Sequence, residues 1–216
     1  MSAPEIWLAE AHEWAAWAQQ GDDGFSAFRA LLPSPGRATL DLGCGEGRFT
    51  RALRRDGHAV TGADVSAELV EAARDADPAG TYVVARAEGL PFEDASFDLV
   101  LAFNVFSCVE ALQDAVRESA RVLANGGVLC LSVVHPLYTA GRRTDGKWII
   151  ESGYMVEHLH TERVRRGEVE LTFANIHRPL GAYTAALEQS GFLIEALREP
   201  EWELIPMFLY LRALKV

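Results

Sequence analysis

The run Thr39-Leu-Asp-Leu-Gly-Cys-Gly-Glu-Gly-Arg48 sets an acid, Asp41, ahead of three glycines at alternate positions, Gly43, Gly45 and Gly47. Glycine admits left-handed dihedrals and, lacking a Cβ, lets main-chain N–H groups come close to a small charged ligand. The residues that follow, Phe49-Thr-Arg-Ala-Leu-Arg-Arg, read as a helix whose positive N-terminal end faces the same ligand. Cys44 fills the turn as a small residue.

Two ligand classes use a strand, glycine turn and helix of this kind: dinucleotides and S-adenosylmethionine. The dinucleotide fingerprint G-x-G-x-x-G needs glycine at position 48, where this chain has arginine, with its extra glycine one residue early. Asp64 ends the next apolar run, His58 to Ala63, where a carboxylate can accept from both hydroxyls of an adenosine ribose. Either cofactor uses an acid there, and the plain alternative is a helix cap. Val65 is apolar, as suits a residue against an adenine face.

Two further segments decide between the classes. Arg86-Ala-Glu-Gly-Leu-Pro-Phe-Glu-Asp-Ala-Ser-Phe-Asp-Leu-Val and Glu118-Ser-Ala-Arg-Val-Leu-Ala-Asn-Gly-Gly-Val-Leu follow the glycine loop in order. With the D-x-G-x-G-x-G loop, they resemble the class I S-adenosylmethionine-dependent methyltransferases of the small-molecule, type 11-like kind. The resemblance covers roughly residues 38 to 134. It implies that Asp41, Gly43, Cys44 and Gly45 hold the methionine end of the cofactor, with Phe103 and Asn104 near it. It further implies that Asp64 and Val65 hold the ribose and adenine, and that Arg86, Ala87 and Glu88 border the adenine ring. The family has an acid at position 86 that accepts from the adenine amine, whereas an arginine cannot accept. Arg86 therefore either stacks on the ring or pairs with Glu88, leaving the backbone of Ala87 to read the base.

Alternating elements should position these residues. A first helix is expected over Ile6 to Gln20, broken at Gly21-Asp-Asp-Gly, and a second over Phe25 to Leu32. Strands are expected at Ala38–Leu42, His58–Ala63, Thr81–Ala85, Phe97–Phe103 and Val128–Val134, with helices between and Ser66 as an N-cap. A helix over Gly181–Gly191 and strands at Phe192–Leu197 and Phe208–Leu214 close the chain. The fold class is α/β: one doubly wound, Rossmann-like sheet of about seven strands, mostly parallel with an antiparallel last strand. Residues 1–216 read as a single domain, divided into an N-terminal helical cap (1–36), a cofactor-binding core (37–135), a β-rich lid insertion (136–178) and a final helix with strands (179–216).

Methyl transfer needs an acceptor brought in line and water excluded, with a base only for a weakly acidic acceptor. Candidate bases are His135, directly after the fifth strand, and His177, in the segment leading to the late helix; the alternative for each is a hydrogen-bonded structural histidine. Tyr138, Trp148 and Tyr154 are candidate lid residues. Trp14 and Trp17, in a stripe with Trp7, either close the other side or simply pack the helix. The His158-x-His160 spacing has no carboxylate or cysteine motif around it, so no metal site is expected.

The 216 residues, 49% hydrophobic, carry a net charge of −11. That charge argues against a nucleic-acid partner. No apolar run approaches the roughly 18–20 residues that span a bilayer, so no membrane partner is expected. Three scattered cysteines fit a reduced, cytoplasmic protein. The expected activity is S-adenosylmethionine-dependent methyl transfer to an O, N or C atom of a small-molecule acceptor. The alternatives are a non-catalytic S-adenosylmethionine-binding regulator and an NAD-linked oxidoreductase.

Overall fold

A computed structural model describes residues 1–216 apart from Gln19, Asp22, Asp23 and Ser152. The chain opens with α1 (Ala3–Ala9), α2 (Ala11–Ala18) and α3 (Phe25–Arg29). The alternating core follows: β1 (Thr39–Leu42), α4 (Arg48–Arg55), β2 (Val60–Asp64), α5 (Ala67–Ala76), β3 (Thr81–Val84), β4 (Phe97–Phe103), α6 (Leu112–Val122) and β5 (Leu123–Val134). An insertion carries α7 (Pro136–Thr139) and two hairpins, β6 (Gly141–Thr144) with β7 (Lys147–Ile150) and β8 (His158–Arg166) with β9 (Val169–His177). The chain returns through α8 (Leu180–Gln189), β10 (Phe192–Arg198) and β11 (Phe208–Lys215).

Seven strands form one sheet in the order β10-β11-β5-β4-β1-β2-β3. The run from β5 to β3 is parallel, and β11 is antiparallel to both β5 and β10. The side-chain period of two sorts each strand between two cores. Leu40, Leu42, Val100, Ala102, Leu129 and Leu131 meet α6 and α8 on one face. Leu99, Leu101, Val128 and Cys130 meet Phe25 and Phe28 of α3 and Leu53 of α4 on the other. Leu53 is fully buried, and truncating such a side chain to alanine costs about 2–5 kcal/mol. The chain leaves β1 towards β2 and β3, then crosses back to β4 on the opposite side of β1. The loops after β1 and β4 therefore diverge and open a crevice at the carboxyl ends of the strands.

The expected first helix is two helices. Ser2 and Glu5 form a reciprocal capping box that starts α1, which stops at Glu10. The bend brings Trp7 and Trp14 edge to face at 5.3 Å, and both pack edge-on to Phe173 of β9. Tertiary packing has overridden a continuous 3.6-residue pattern. The residues expected to break that helix include Asp22 and Asp23, and its expected span includes Gln19; these lie outside the described residues. β5 begins at Leu123 rather than Val128, because a register shift against β4 absorbs the Gly126-Gly127 turn into the strand. Ser66 caps α5, its Oγ accepting from Leu69 N at 3.3 Å. Among the described residues no helix is long and apolar enough to cross a membrane.

Candidate cofactor and acceptor site

The crevice holds two adjoining cavities, of about 170 and 360 Å³. The smaller runs from the glycine loop past the end of β2 to the segment after β3. Gly43 sits at φ +71°, with its N–H donating to Ala63 O at 2.7 Å. A Cβ there would collide with Val105 Cγ2, so the close approach of the loops after β1 and β4 requires glycine. Gly45, at φ +55°, donates its N–H to Asp64 Oδ2 at 2.9 Å, and Ser66 N donates to Asp64 Oδ1 at the same distance. Asp64 thus ties the glycine loop to the start of α5 while lining the cavity. Each of its oxygens keeps a lone-pair direction for a ligand hydroxyl.

Val65, Arg86, Ala87, Glu88, Phe103 and Asn104 line the same cavity. Val65 is 36% exposed, an apolar side chain open to the crevice. Arg86 Nε lies 3.6 Å from Glu88 Oε2, the second of the two arrangements open to it. Asn104 holds φ +60°, a conformation rare outside glycine. Ser132 Oγ donates to its Oδ1 at 2.7 Å, while its own N–H donates to Ser132 O at 2.9 Å. Cys44 turns away and lines the larger cavity. Asp41 lies beneath the loop at 1% exposure, accepting from Thr50 Oγ1 at 2.6 Å, and does not reach either cavity wall.

The loop is strongly acidic. Burial, together with the charges of Asp64 and Glu46, raises the Asp41 carboxyl from 3.8 to about 7. Burial also raises Glu46 and Asp64, although three backbone N–H groups hold Asp64 down. This donor set repels a diphosphate and suits a ligand carrying sulfonium and ammonium cations. The glycine cradle, the Asp64 carboxylate and the apolar Val65 together fit S-adenosylmethionine better than a dinucleotide.

The larger cavity shares Trp7, Trp14, Gly43, Gly45, Phe103 and Asn104 with the smaller one. Its roof is an aromatic cluster in which Trp7, Trp14 and Trp17 all pack edge-on to Phe173 within 5.2–6.3 Å. Trp7 Nε1 donates to Ala174 O at 2.7 Å, joining α1 to β9. Arg48 NH1 donates to Ala18 O and Gly21 O at 2.6 and 2.7 Å, joining the glycine loop to the end of α2. The arginine in place of a dinucleotide glycine therefore fastens the N-terminal cap. Arg178, 3% exposed, fixes the base of the lid by donating to Phe106 O, Val109 O and Glu110 O.

The two histidines singled out in the sequence stand outside both cavities. His135 Nδ1 accepts from Leu137 N at 3.0 Å, so its Nε2–H donates to Glu199 at 2.9 Å. His177 is fully buried; Thr139 Oγ1 lies 2.7 Å from its Nδ1, and its Nε2–H donates to Tyr154 O at 2.9 Å. With both ring nitrogens engaged, neither offers a lone pair to an acceptor, and the structural alternative describes them. Of the lid candidates, Trp14, Trp17 and Tyr138 line the larger cavity. Trp148 instead donates to Leu137 O and tilts against Tyr138, while Tyr154 OH accepts from Leu180 N.

His160 and Glu162 are among the polar cavity residues that the sequence analysis does not single out, as are Glu46, Arg166 and Asn175. His160, Glu162, Val164 and Arg166 all line the cavity from β8. Alternation by two along that strand is the signal that places them on one face.

A family model described as a methyltransferase domain matches residues 40–131. The crystal structure of an S-adenosylmethionine-dependent methyltransferase from Mesorhizobium loti is 30% identical, with a TM-score of 0.76 over 90% of this chain and 99% of that one. A malonyl-acyl-carrier-protein O-methyltransferase from Enterobacter lignolyticus is 40% identical over 109 residues, 50% of this chain and 43% of that relative. A demethylmenaquinone methyltransferase from Tropheryma whipplei is 36% identical over 106 residues, 48% of this chain and 44% of that relative. The match thus spans less than half the length of these curated relatives. Sheet order, acidic glycine loop and whole-chain likeness agree: the chain belongs to the class I S-adenosylmethionine-dependent methyltransferases.

Proposed function

We propose that this protein methylates a small molecule held in the larger cavity, with S-adenosylmethionine in the smaller one. The observation that carries this reading is the shared wall: Gly43, Gly45, Phe103 and Asn104 border both cavities, so the two ligands would meet there. When bound, the cofactor supplies a methyl carbon on a positively charged sulfur, a leaving group that needs no acid. Asp64 would accept from the ribose hydroxyls, Val65 would cover the adenine, and the acidic loop would balance the cationic end. Phe103 and Asn104, held by the end of β4, would fix where the acceptor stops. The roof of Trp7, Trp14, Trp17 and Phe173 would exclude water, which strengthens every electrostatic interaction beneath it.

The relatives' names cover different acceptors, a carrier-protein-bound malonyl group and a quinone precursor. The free thiols of Cys44, Cys108 and Cys130 support a reducing compartment such as the cytoplasm. Isothermal titration with S-adenosylhomocysteine tests the cofactor half of the reading. Micromolar binding is expected, weakened about tenfold or more by Asp64→Ala, which removes a carboxylate with two loop N–H bonds. Absence of binding to the wild-type protein would overturn it.

A further inference from the structure

The larger cavity carries two buried nitrogens with nothing to bond. Trp17 is 3% exposed, and its Nε1–H has no acceptor among the described residues. His160 Nε2 is likewise buried and without a partner among the described residues. Buried polar groups are almost always satisfied, and an indole N–H can only donate. Both residues line the same cavity, so an occupant that reached these two nitrogens would satisfy them. They are linked through β9: Trp17 packs on Phe173 at 5.2 Å, Phe173 pairs with Glu162, and Asn175 pairs with His160.

Charge narrows the occupant further. Glu46 and Glu162 are in the wall, and Tyr138 OH donates to Glu162 at 3.2 Å. The two cations of the wall are turned to the protein. The Arg48 guanidinium bonds backbone carbonyls and lies 4.4 Å from the Phe49 ring centre, and that of Arg166 lies 4.1 Å from the Trp17 ring centre. A free carboxylate would meet two acids and no available cation. A flat apolar molecule would instead meet aromatic faces and edges.

We infer that the cavity takes a neutral aromatic acceptor bearing a hydroxyl group, with His160 as its base and Trp17 Nε1 donating to an oxygen of the same molecule. This rests on the methyl-transfer reading above. The hydroxyl O–H bond breaks and its proton passes to an imidazole nitrogen of His160. An oxygen lone pair forms the new bond to the methyl carbon, the C–S electron pair remaining on sulfur and cancelling its positive charge. The imidazolium then returns its proton to water. Around the ring stand His158 and Glu162 on β8, Asn175 and His177 on β9, and Tyr138 on α7. Burial, with His158 and His177, lowers the His160 pKa, which keeps the imidazole neutral and able to accept.

The test uses a matched pair of probes, 1-naphthol and 1-naphthoate, titrated into wild-type protein saturated with S-adenosylhomocysteine. The expected result is at least about tenfold tighter binding of 1-naphthol. Two variants read the two orphans separately. His160→Gln should leave S-adenosylhomocysteine affinity unchanged while lowering transfer of labelled methyl to 1-naphthol by about 100-fold, within the range for losing a general base. Trp17→Phe should weaken 1-naphthol about fivefold or more, through the lost N–H. Equal or tighter binding of 1-naphthoate, binding of neither probe, or unchanged transfer in His160→Gln would overturn the inference while leaving the cofactor reading intact. Failure of S-adenosylhomocysteine itself to bind would overturn both.

Discussion

Replacing Asp41 by asparagine removes one charge from the floor of the glycine loop and keeps an oxygen to accept from Thr50 Oγ1. The wild-type carboxyl is raised from 3.8 to about 7, chiefly by burial and secondarily by Asp64 and Glu46, against the opposing Thr50 bond. The folded protein therefore holds this proton more tightly than the unfolded chain does. Stability falls as pH rises through the window between those two values, and the loss is complete above about pH 7. Each pH unit inside the window is worth ~1.4 kcal/mol, so about 3 kcal/mol disappears between pH 5 and pH 8. Asp41→Asn lacks this loss. Its stability relative to wild type should improve by about 3 kcal/mol over the same pH span. Urea denaturation followed by tryptophan fluorescence at pH 5, 6, 7 and 8 measures the difference. Parallel stability curves for the two proteins would refute a buried, proton-retaining Asp41. The same group links to ligand binding, since a cation settling over the loop favours the ionised form. S-adenosylhomocysteine, through its ammonium group, should release a proton at pH 7 from wild type and not from the variant, read by titration in buffers of different ionisation enthalpy.

Gly43→Ala should cost about 2 kcal/mol or more and weaken S-adenosylhomocysteine, because it forces a left-handed alanine against Val105. Adding Val105→Ala should recover part of the loss in thermal denaturation; no recovery would mean the collision is not the cause. His135→Ala and His177→Ala should each lower stability by about 1–3 kcal/mol through orphaned partners. Titration should find their S-adenosylhomocysteine affinity unchanged, and a large drop in affinity without loss of stability would return them to the site.

Much of the wall of the smaller cavity was legible because its determinants are local. Gly43, Gly45 and Asp64 sit at strand ends whose hydrophobic runs announce them, and the positive φ values at Gly43 and Gly45 are ones that glycine alone adopts freely, whereas the expected contact of Asp41 is replaced by burial beneath the loop. The Arg86 departure was also readable, because its partner Glu88 is two residues away. The wall of the larger cavity was not. His135 and His177 looked available in the sequence, yet their ring nitrogens are taken by Glu199 and Leu137, and by Thr139 and Tyr154, residues whose proximity no local pattern announces. In the sequence His160 reads only as half of a His-x-His spacing without further ligands, although the period of two along β8 places it beside Glu162 on the cavity side.

The amino-acid sequence by itself determined the alternation of strands and helices, the acidic glycine loop and the likeness to a methyltransferase. These follow from hydrophobic periodicity and glycine's backbone freedom, properties carried by neighbouring residues. Only the tertiary structure decided that α1 and α2 bend at Glu10 to roof the two cavities, that Arg48 bolts that roof to the loop, and that His160 rather than His135 lines the larger cavity. Those outcomes depend on long-range packing between the N-terminal helices and the β8–β9 hairpin, where the edge-on packing of three tryptophans against Phe173 outweighs the local preference for one continuous helix.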